Sequence, residues 1–514
     1  MRKMKGGIEG PDSLPHAATP TEENWMQHLS RILGAVLSSL IIATWSPGAT
    51  FAEETASPSQ TELFITSNST IPALKREIDS ILAHELLPVT NVGIKVVSLK
   101  EGDTIYEFNP RLLLIPASTQ KIFTAAAALA LLGPAREVVT TVALDAAGGR
   151  VYLKGGGDGM MNAAELTALA AAAARTLDRG REYTLAADLS CFDDLYRGSG
   201  WMWDDDEFLI SPLSVNQNAV SVLVQPGPGL GASATVTAEP ATSYVTLENL
   251  TRTGTASEPA SIKAARRPGE RDNLITISGV IPLGSAPLEK RASVWRPELM
   301  ALTLFRDALR AQGIKIADMT TGPTPARANL LARATRRVDE LVRFALKNSD
   351  NLTAESLLKL LGLYSTGQPG SAEAGSAAVR RYLAIHGIPT QDLVLADGSG
   401  VSRYNLSSAE TLTLTLRVIH RDRELYRTFY DSLPIAGKDG TLKRRMIGSC
   451  AKGNLRGKTG NMSGVSALSG YASSADGEPL AFAMIMQNYA TSGRRAREIQ
   501  DRIAALLCGF RRTR

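Results

Sequence analysis

The sequence is poor in the residues on which many enzyme mechanisms depend. It has three cysteines and five histidines among 514 residues. Cys191, Cys450 and Cys508 lie far apart, so they predict neither a disulfide framework nor a zinc site, and at most one disulfide can form. No histidine has a partner at metal-ligand spacing, which argues against a histidine-bound metal and a Ser-His-Asp mechanism. We therefore expect no metal ion and no other cofactor.

Aromatic residues and runs of one charge are also scarce. Aromatics make up 5% of the chain, and the formal net charge of +5 comes without a long run of lysine or arginine. Nucleic-acid-binding proteins usually concentrate basic residues in patches and add aromatic side chains. The composition therefore predicts no nucleic-acid partner. A hydrophobic content of 44% with 21% charged residues is typical of a globular protein with a sizeable core.

The apolar stretch near the N-terminus, residues 32–44, is shorter than the roughly 20 residues of a membrane-spanning helix. Arg31 precedes it and small residues follow up to Ala52, which is the layout of a signal peptide. We predict a signal peptide at 1–52 and a linker at 53–69, with Met26 as an alternative translation start. The mature protein would be periplasmic and without a stable membrane span; an uncleaved anchor is the alternative.

Hydrophobic patterning divides the rest of the chain into an α/β (α+β) domain and an insertion. Helical and strand patterns alternate in 70–140 and return in 293–514, whereas 141–292 shows short alternating runs typical of strands, with one alanine-rich helix. We predict a split domain formed by the first two segments. The third would be a largely β insertion, composed of two small subdomains.

A Ser-x-x-Lys motif stands at the start of an uncharged, very apolar helical run. Ser118 and Lys121 would share one helix face, and burial would lower the pKa of the lysine enough for it to accept a proton from the serine. Alternatively, Ser118 simply caps the helix. Ser356 and Lys359 repeat the spacing, so the motif alone does not identify a nucleophile.

A second motif, Ser349-Asp350-Asn351, falls at a break between two predicted helices, where a loop can point side chains into a cleft. A helix N-cap is the alternative explanation. Ser214 and Asn216 offer the same Ser-x-Asn spacing, but their surroundings alternate like a strand of the insertion. We therefore favour the motif at Ser349.

A third motif, Lys458-Thr459-Gly460, begins an apolar strand that could line the same cleft. A turn at the start of a strand is the alternative. Ser-x-x-Lys, Ser-x-Asn and Lys-Thr-Gly in this order are the three motifs of serine penicillin-recognising enzymes. Together they outweigh the separate structural explanations.

With these motifs the chain resembles the class C low-molecular-mass penicillin-binding proteins, which are D-alanyl-D-alanine carboxypeptidases and endopeptidases. The resemblance covers most of 70–490 and extends to further stretches: PASTQK, YLKGGGD, GWMWDD, SDNLTAE, DGSGVSRYN, SLPIAGKDGTLKRRM and KTGNMSGVSALSGY. It implies a transpeptidase-like fold with an insertion between the first and second motifs. It also implies peptidoglycan as substrate and β-lactams as covalent inhibitors.

The resemblance implies a role for each motif. Ser118 would attack the carbonyl between two D-alanines and form an acyl-enzyme that water hydrolyses, with Lys121 as general base. Ser349 would pass the proton to the leaving amine, and Asn351 would orient Lys121 and the substrate amide. Lys458 would attract the terminal carboxylate.

The remaining substrate-binding residues implied are Thr459, Gly460 and Asn461, with an oxyanion hole formed by the backbone N–H groups of Ser118 and Asn461. Family members commonly have threonine where this chain has Asn461, and Gly-Asp-Pro where it reads GGGDGMM. Glu355 is expected to be a charge on a helix surface, so it would not match the glutamate that activates a deacylating water in class A β-lactamases.

Two further segments have less specific expectations. The acidic residues at 204–207 could bind the free amine of a diaminopimelate side chain, or they could be a solvated loop. Gly398, Gly400 and Arg403 are expected to shape the floor of the cleft, with the glycines in tight turns.

Overall fold

The computed structural model describes residues 70–85, 90–202, 205, 208–267, 269–490 and 492–512. The predicted signal peptide and linker lie outside these residues. None of the described helices combines the length and the apolar character needed to cross a membrane.

The helices alternate with strands along the chain. In chain order they are α1 (Ile71–Glu85), α2 (Lys121–Ala127), α3 (Ala163–Ala174), α4 (Pro297–Ala311), α5 (Val338–Lys347), α6 (Asn351–Thr366), α7 (Ala372–Ile385), α8 (Ala409–Arg421), α9 (Arg423–Ser432) and α10 (Gly493–Gly509). The strands are β1 (Asn91–Ser98), β2 (Thr104–Phe108), β3 (Glu137–Asp145), β4 (Arg150–Lys154), β5 (Glu182–Asp188), β6 (Ala219–Gln225), β7 (Thr235–Glu239), β8 (Thr246–Gly254), β9 (Lys263–Arg266), β10 (Leu274–Pro282), β11 (Leu288–Ser293), β12 (Lys315–Thr321), β13 (Asn329–Arg337), β14 (Arg456–Met462), β15 (Val465–Ser473) and β16 (Pro479–Gln487).

A five-stranded antiparallel sheet in the order β14-β15-β16-β1-β2 carries the third motif at its edge. β15 and β16 read as nearly continuous runs of apolar and small residues, because both faces of the sheet are covered. Leu74 of α1 and Ile503 of α10 pack against one face together with Met484. Leu412 of α8 packs on the other face, in the same cluster as Ile485.

The helical part of the domain is built around α2. All seven residues of α2 are buried, and a π-helical turn, Ala128–Leu132, continues it. α2 packs against α6, α8 and α5. The uncharged sequence after Lys121 is explained by this position, since a helix surrounded by other helices has no solvent-facing side.

The segment between the first and second motifs contains most of the remaining strands, as predicted. A mixed five-stranded sheet has the order β12-β5-β4-β3-β13, and two three-stranded sheets have the orders β8-β10-β9 and β11-β6-β7. α3 and α4 pack together, and Met300 and Phe305 of α4 join the apolar cluster of this region.

The bounds of the insertion can be placed from strand pairing. β3 crosses the predicted boundary at 140, and β12 and β13 pair with β5 and β3 although they follow residue 292. Strands that share a sheet bury their side chains together, so they belong to one unit. We propose that the insertion extends from Glu137 to Arg337, while its predicted division into two subdomains remains a prediction.

Cys191, Cys450 and Cys508 are free thiols in this structure. The Cys450 thiol forms a hydrogen bond with the Cys508 side chain. This bond lowers the pKa of the Cys450 thiol to about 7.

Candidate active site

Ser118 lies in a tight turn ahead of α2. Residues Ala117–Gln120 form a 3₁₀ turn in which Ala117 has a φ of 47°. Pro116 begins the turn, and its carbonyl accepts a hydrogen bond from the Thr119 N–H at 3.2 Å. Neither the turn nor α2 has a side-chain cap. Ser118 therefore does not cap the helix, and its half-exposed hydroxyl is available to the cleft.

Two glycines hold this turn in place. A Cβ on Gly400, which has a φ of 85°, would lie 1.9 Å from the Ala117 carbonyl oxygen. A Cβ on Gly460 of β14 would lie 2.7 Å from the Pro116 carbonyl oxygen. Both sites require glycine because the backbone approaches so closely that no side chain fits. The Lys-Thr-Gly strand and the DGSG segment thus fix the position of Ser118 from two sides.

Lys121 contributes its side chain from the first turn of α2. Its Nζ donates to the Ser118 Oγ at 3.1 Å, the Asn351 Oδ1 at 2.7 Å and the Ser399 carbonyl oxygen at 2.7 Å. The side chain is 1% exposed. This burial lowers the pKa of Lys121 to about 8, against the opposing effect of nearby carboxylates. A substantial fraction of the amine is therefore neutral near physiological pH.

The second motif forms the short link between α5 and α6. Asp350 is the N-cap of α6, and its carboxylate accepts a hydrogen bond from the Thr353 N–H at 2.7 Å. Ser349 has a φ of 59°, a left-handed conformation that is uncommon for serine. The capping function thus falls on Asp350, while Ser349 and Asn351 direct their side chains to the two lysines.

The third motif brings a second buried lysine into the site. The Lys458 Nζ donates to the Ser349 Oγ at 2.8 Å and to the Thr459 carbonyl oxygen at 2.7 Å. Burial, reinforced by the charge of Lys121, holds the pKa of Lys458 well below its usual range. The Thr459 hydroxyl donates to the Thr441 Oγ1 at 2.8 Å, a partner that the sequence did not suggest. Asn461 is exposed at the cleft edge of β14.

The two decoy motifs do not form a comparable arrangement. The Lys359 Nζ contacts the Asp193 carboxylate and donates to the Leu195 carbonyl oxygen at 2.7 Å. The Ser356 hydroxyl is buried and has no hydrogen-bond partner among the described residues. In the insertion, the Ser214 hydroxyl donates to the Ser211 carbonyl oxygen at 2.8 Å and accepts from the Asn218 amide at 3.1 Å.

The expectation that Glu355 is a surface charge is wrong. Glu355 is 0% exposed, and its carboxylate accepts hydrogen bonds from the Gly398 N–H at 3.0 Å and the Ser399 N–H at 2.7 Å. Burial and the neighbouring Asp397 raise the pKa of Glu355 to about 7. Glu355 thus fixes the backbone of Ser399, the residue whose carbonyl oxygen accepts a hydrogen bond from Lys121. The apolar residues next to Glu355 on α6 are buried, and the side of the helix that carries Glu355 is buried as well.

Asp397 extends this buried network to the insertion. It is 1% exposed, and its carboxylate accepts from the Gly400 N–H at 2.8 Å, the Ser402 N–H at 2.6 Å and the Trp201 Nε1–H at 2.9 Å. The expected tight turn at the cleft floor is therefore stabilised by carboxylates as well as by glycine. Trp201 was unexpected here, although GWMWDD was one of the stretches that carried the family resemblance.

The other two expectations concern residues farther from Ser118. Asp204, Asp206 and Glu207 lie outside the described residues, and Asp205 accepts a hydrogen bond from the Met202 N–H at 2.7 Å. The Arg403 side chain donates to the Ser463 carbonyl oxygen at 3.2 Å, in the turn after β14. Among the described residues, no group of histidine, cysteine and acidic side chains could hold a metal ion.

We expect Glu355→Ala to lower the free energy of unfolding by about 2–4 kcal/mol, because two buried N–H groups lose their acceptor. Ser356→Ala is the matched control on the same helix. Its hydroxyl is buried but unpaired, so the change should be within about 1 kcal/mol. Urea denaturation of both variants measures this difference, and equal stabilities would contradict the assigned role of Glu355.

Taken together, the geometry supplies a half-exposed hydroxyl, a buried amine that can take its proton, and a second Lys–Ser pair beside them. These groups are the ones that acyl transfer through a serine ester requires.

Comparisons with known proteins agree with this chemistry. The profile of the D-Ala-D-Ala carboxypeptidase 3 (S13) family matches residues 74–508. A D-alanyl-D-alanine carboxypeptidase from an Actinomadura strain is 35% identical over 470 residues, 86% of each chain. Carboxypeptidase DacB of Mycolicibacterium smegmatis is 30% identical over 426 residues, 81% of this chain and 80% of that protein. The crystal structure of penicillin binding protein 4 from Haemophilus influenzae superposes with a TM-score of 0.73 at 24% identity, covering 83% of this chain and 97% of that one. The chain therefore belongs to the D-Ala-D-Ala carboxypeptidase 3 (S13) family and is a serine-type D-Ala-D-Ala carboxypeptidase.

Proposed function

We propose that the enzyme hydrolyses D-Ala-D-Ala termini and D-alanyl cross-links of periplasmic peptidoglycan through an acyl-enzyme on Ser118, and that β-lactams acylate the same serine. The observation that carries this proposal is the 3.1 Å hydrogen bond between the Lys121 Nζ and the Ser118 Oγ, inside a buried network. Residues 1–52 would direct export as a signal peptide and then be removed.

In the acylation step, neutral Lys121 takes the proton of Ser118 while the serine oxygen attacks the carbonyl between the two D-alanines. Asn351 holds the Lys121 amine, and its amide can also orient the substrate. The Ser118 turn is fixed by Gly400 and Gly460, so the nucleophile needs little reorganisation. Preorganised N–H groups of Ser118 and Asn461 would stabilise the oxyanion.

The leaving group would be handled by the second lysine. A substrate carboxylate arriving at Lys458 favours the charged form of that amine, because it replaces the solvation lost on burial. The charged Lys458 in turn disfavours a proton on Lys121. Ser349, which accepts from Lys458 at 2.8 Å, can then relay a proton to the departing amine. Substrate binding thus helps to produce the neutral base that acylation needs.

This mechanism predicts how acylation depends on pH. Only neutral Lys121 can act as the base, and its pKa lies at about 8. The second-order rate of acylation by a fluorescent penicillin should rise about tenfold per pH unit below that value and level off above it. Stopped-flow labelling between pH 6 and pH 9.5 measures the profile. A rate that stayed flat across pH 8 would argue against Lys121 as base.

Penicillin should react in a burst of about one equivalent followed by slow turnover. The amine released when the lactam ring opens stays tethered and blocks the approach of water. Glu355 cannot activate a water at the ester, because its carboxylate is buried behind the Ser399 peptide. Ring opening followed spectroscopically tests this, and sustained fast turnover would make a β-lactamase the better description.

The substrate is tested by digesting purified peptidoglycan and identifying the fragments by mass spectrometry. Released D-alanine reports carboxypeptidase activity, and conversion of cross-linked dimers to monomers reports endopeptidase activity. If cross-linked dimers persisted while D-alanine was released, the endopeptidase part of the proposal would be withdrawn.

A further inference from the structure

The rejected Ser-x-Asn stretch of the insertion has an unusual backbone. Asn216, Gln217 and Asn218 have φ values of 48°, 56° and 58°. Three successive left-handed residues without glycine are costly for L-amino acids, so the surrounding structure must enforce them. The Asn218 side chain is buried and donates to the Leu209 carbonyl oxygen at 2.7 Å, and the Asn216 Oδ1 accepts from the Ala163 N–H at 3.0 Å. These two anchors leave Gln217 at the tip of the turn.

Arg291 of β11 lies against this tip. Its Nη2 donates to the Asn216 carbonyl oxygen at 3.0 Å, and its Nη1 contacts the Gln217 Oε1. Among the described residues, Arg291 has hydrogen-bond partners in Gln217 and Asn216 but no carboxylate partner, and the Gln217 amide NH₂ has no acceptor. A guanidinium beside a side-chain amide presents several N–H donors together, which suits a carboxylate.

Gln217 and Arg291 line a cavity of about 550 Å³. Ser349 and Asn351 of the candidate active site line the same cavity. Lys458, assigned to the leaving-group carboxylate, does not line it, so an occupant would belong to the acyl side of the scissile bond. Asp350, which neighbours Ser349, also lines the cavity.

We propose that Gln217 and Arg291 bind a carboxylate of the stem peptide on the acyl side of the scissile bond. This inference rests on the proposed function, because it concerns the same substrate. The strained turn holds the Gln217 amide of the insertion beside the Arg291 guanidinium, in the cavity that the second motif also lines. The insertion would thereby select peptides that carry an acidic residue upstream of D-Ala-D-Ala.

The test compares two D-Ala-D-Ala peptides that differ only in one upstream glutamyl α-carboxylate, free in one and amidated in the other. We expect the wild-type kcat/KM to favour the free acid, and Arg291→Ala to reduce this preference about tenfold. Gln217→Glu, which adds a negative charge at the tip, should reduce it further. Lys290→Ala, a neighbour on β11 that does not line the cavity, should keep the wild-type preference.

Two measurements separate the possible failures. Arg291→Lys keeps the charge and should recover part of the preference, which a variant that only perturbs the turn would not do. Penicillin labelling of Ser118 in the same preparations reports on the proposed function independently. A wild-type enzyme that labels normally but shows equal kcat/KM for both peptides, or an Arg291→Ala variant with an unchanged preference, would overturn the inference.

Discussion

Ser118→Ala should abolish covalent labelling by a fluorescent penicillin and lower peptide hydrolysis by roughly 10⁴-fold or more, because no other oxygen takes the place of the nucleophile. The fold should survive. The serine accepts one hydrogen bond from Lys121, whose amine keeps two other acceptors, Asn351 and Ser399. The change in unfolding free energy should therefore stay within about 1 kcal/mol.

Ser356→Ala is the control for this experiment, since Ser356 begins the other Ser-x-x-Lys sequence. Its hydroxyl has no hydrogen-bond partner in the part of the chain that the structure describes, and Lys359 contacts Asp193. Labelling should be unaffected. Penicillin adducts are located by peptide mapping, and an adduct on Ser356 in the Ser118→Ala variant would show that the nucleophile had been misassigned.

Lys121→Met should slow acylation by about 10²–10⁴-fold, the usual contribution of a general base. Methionine fills much of the buried volume of the lysine, so packing in α2 changes less than with alanine. The residual rate should also lose its rise toward pH 8, since the titrating group is gone. Lys458→Met provides the comparison: it should mainly raise KM for the peptide, because the carboxylate loses its partner.

Stopped-flow labelling and steady-state peptide hydrolysis of both variants separate these effects. An unchanged acylation rate in Lys121→Met would contradict its assignment as base. A wild-type KM in Lys458→Met would contradict the assignment of carboxylate capture.

The predicted fold class and family are confirmed. Both could be predicted because they depend on local sequence patterns and on short motifs. The run after Lys121 has no charged residue, and β15 and β16 are apolar almost throughout, because these segments are buried on every side. An analysis of hydrophobic patterning identifies such segments from the sequence. The three motifs are short and their order is specific, so they could be recognised together without knowledge of their geometry. The structure brings their side chains within hydrogen-bond distance of one another.

The parts that could not be predicted depend on contacts distant in the chain. Glu355 is polar on an apolar helix, and only the backbone N–H groups of Gly398 and Ser399 show why it is buried. β12 and β13 join the sheet of the insertion through pairing with strands far earlier in the chain, which local patterning does not reveal. Thr441 and Trp201 likewise acquire their partners only through folding.

The pairing of β1 with β16 has a consequence for the time at which the enzyme becomes active. Residues 91–98 find their sheet partner only at residues 479–487, and the strand that presses Gly460 against the Ser118 turn lies at 456–462. A chain that emerges from its N-terminus has therefore made Ser118 and Lys121 long before the strand that supports them exists. Such long-range pairing forms late in folding. We therefore expect the nucleophile and its base to remain unassembled, and the enzyme inactive, until nearly the whole chain has been synthesised.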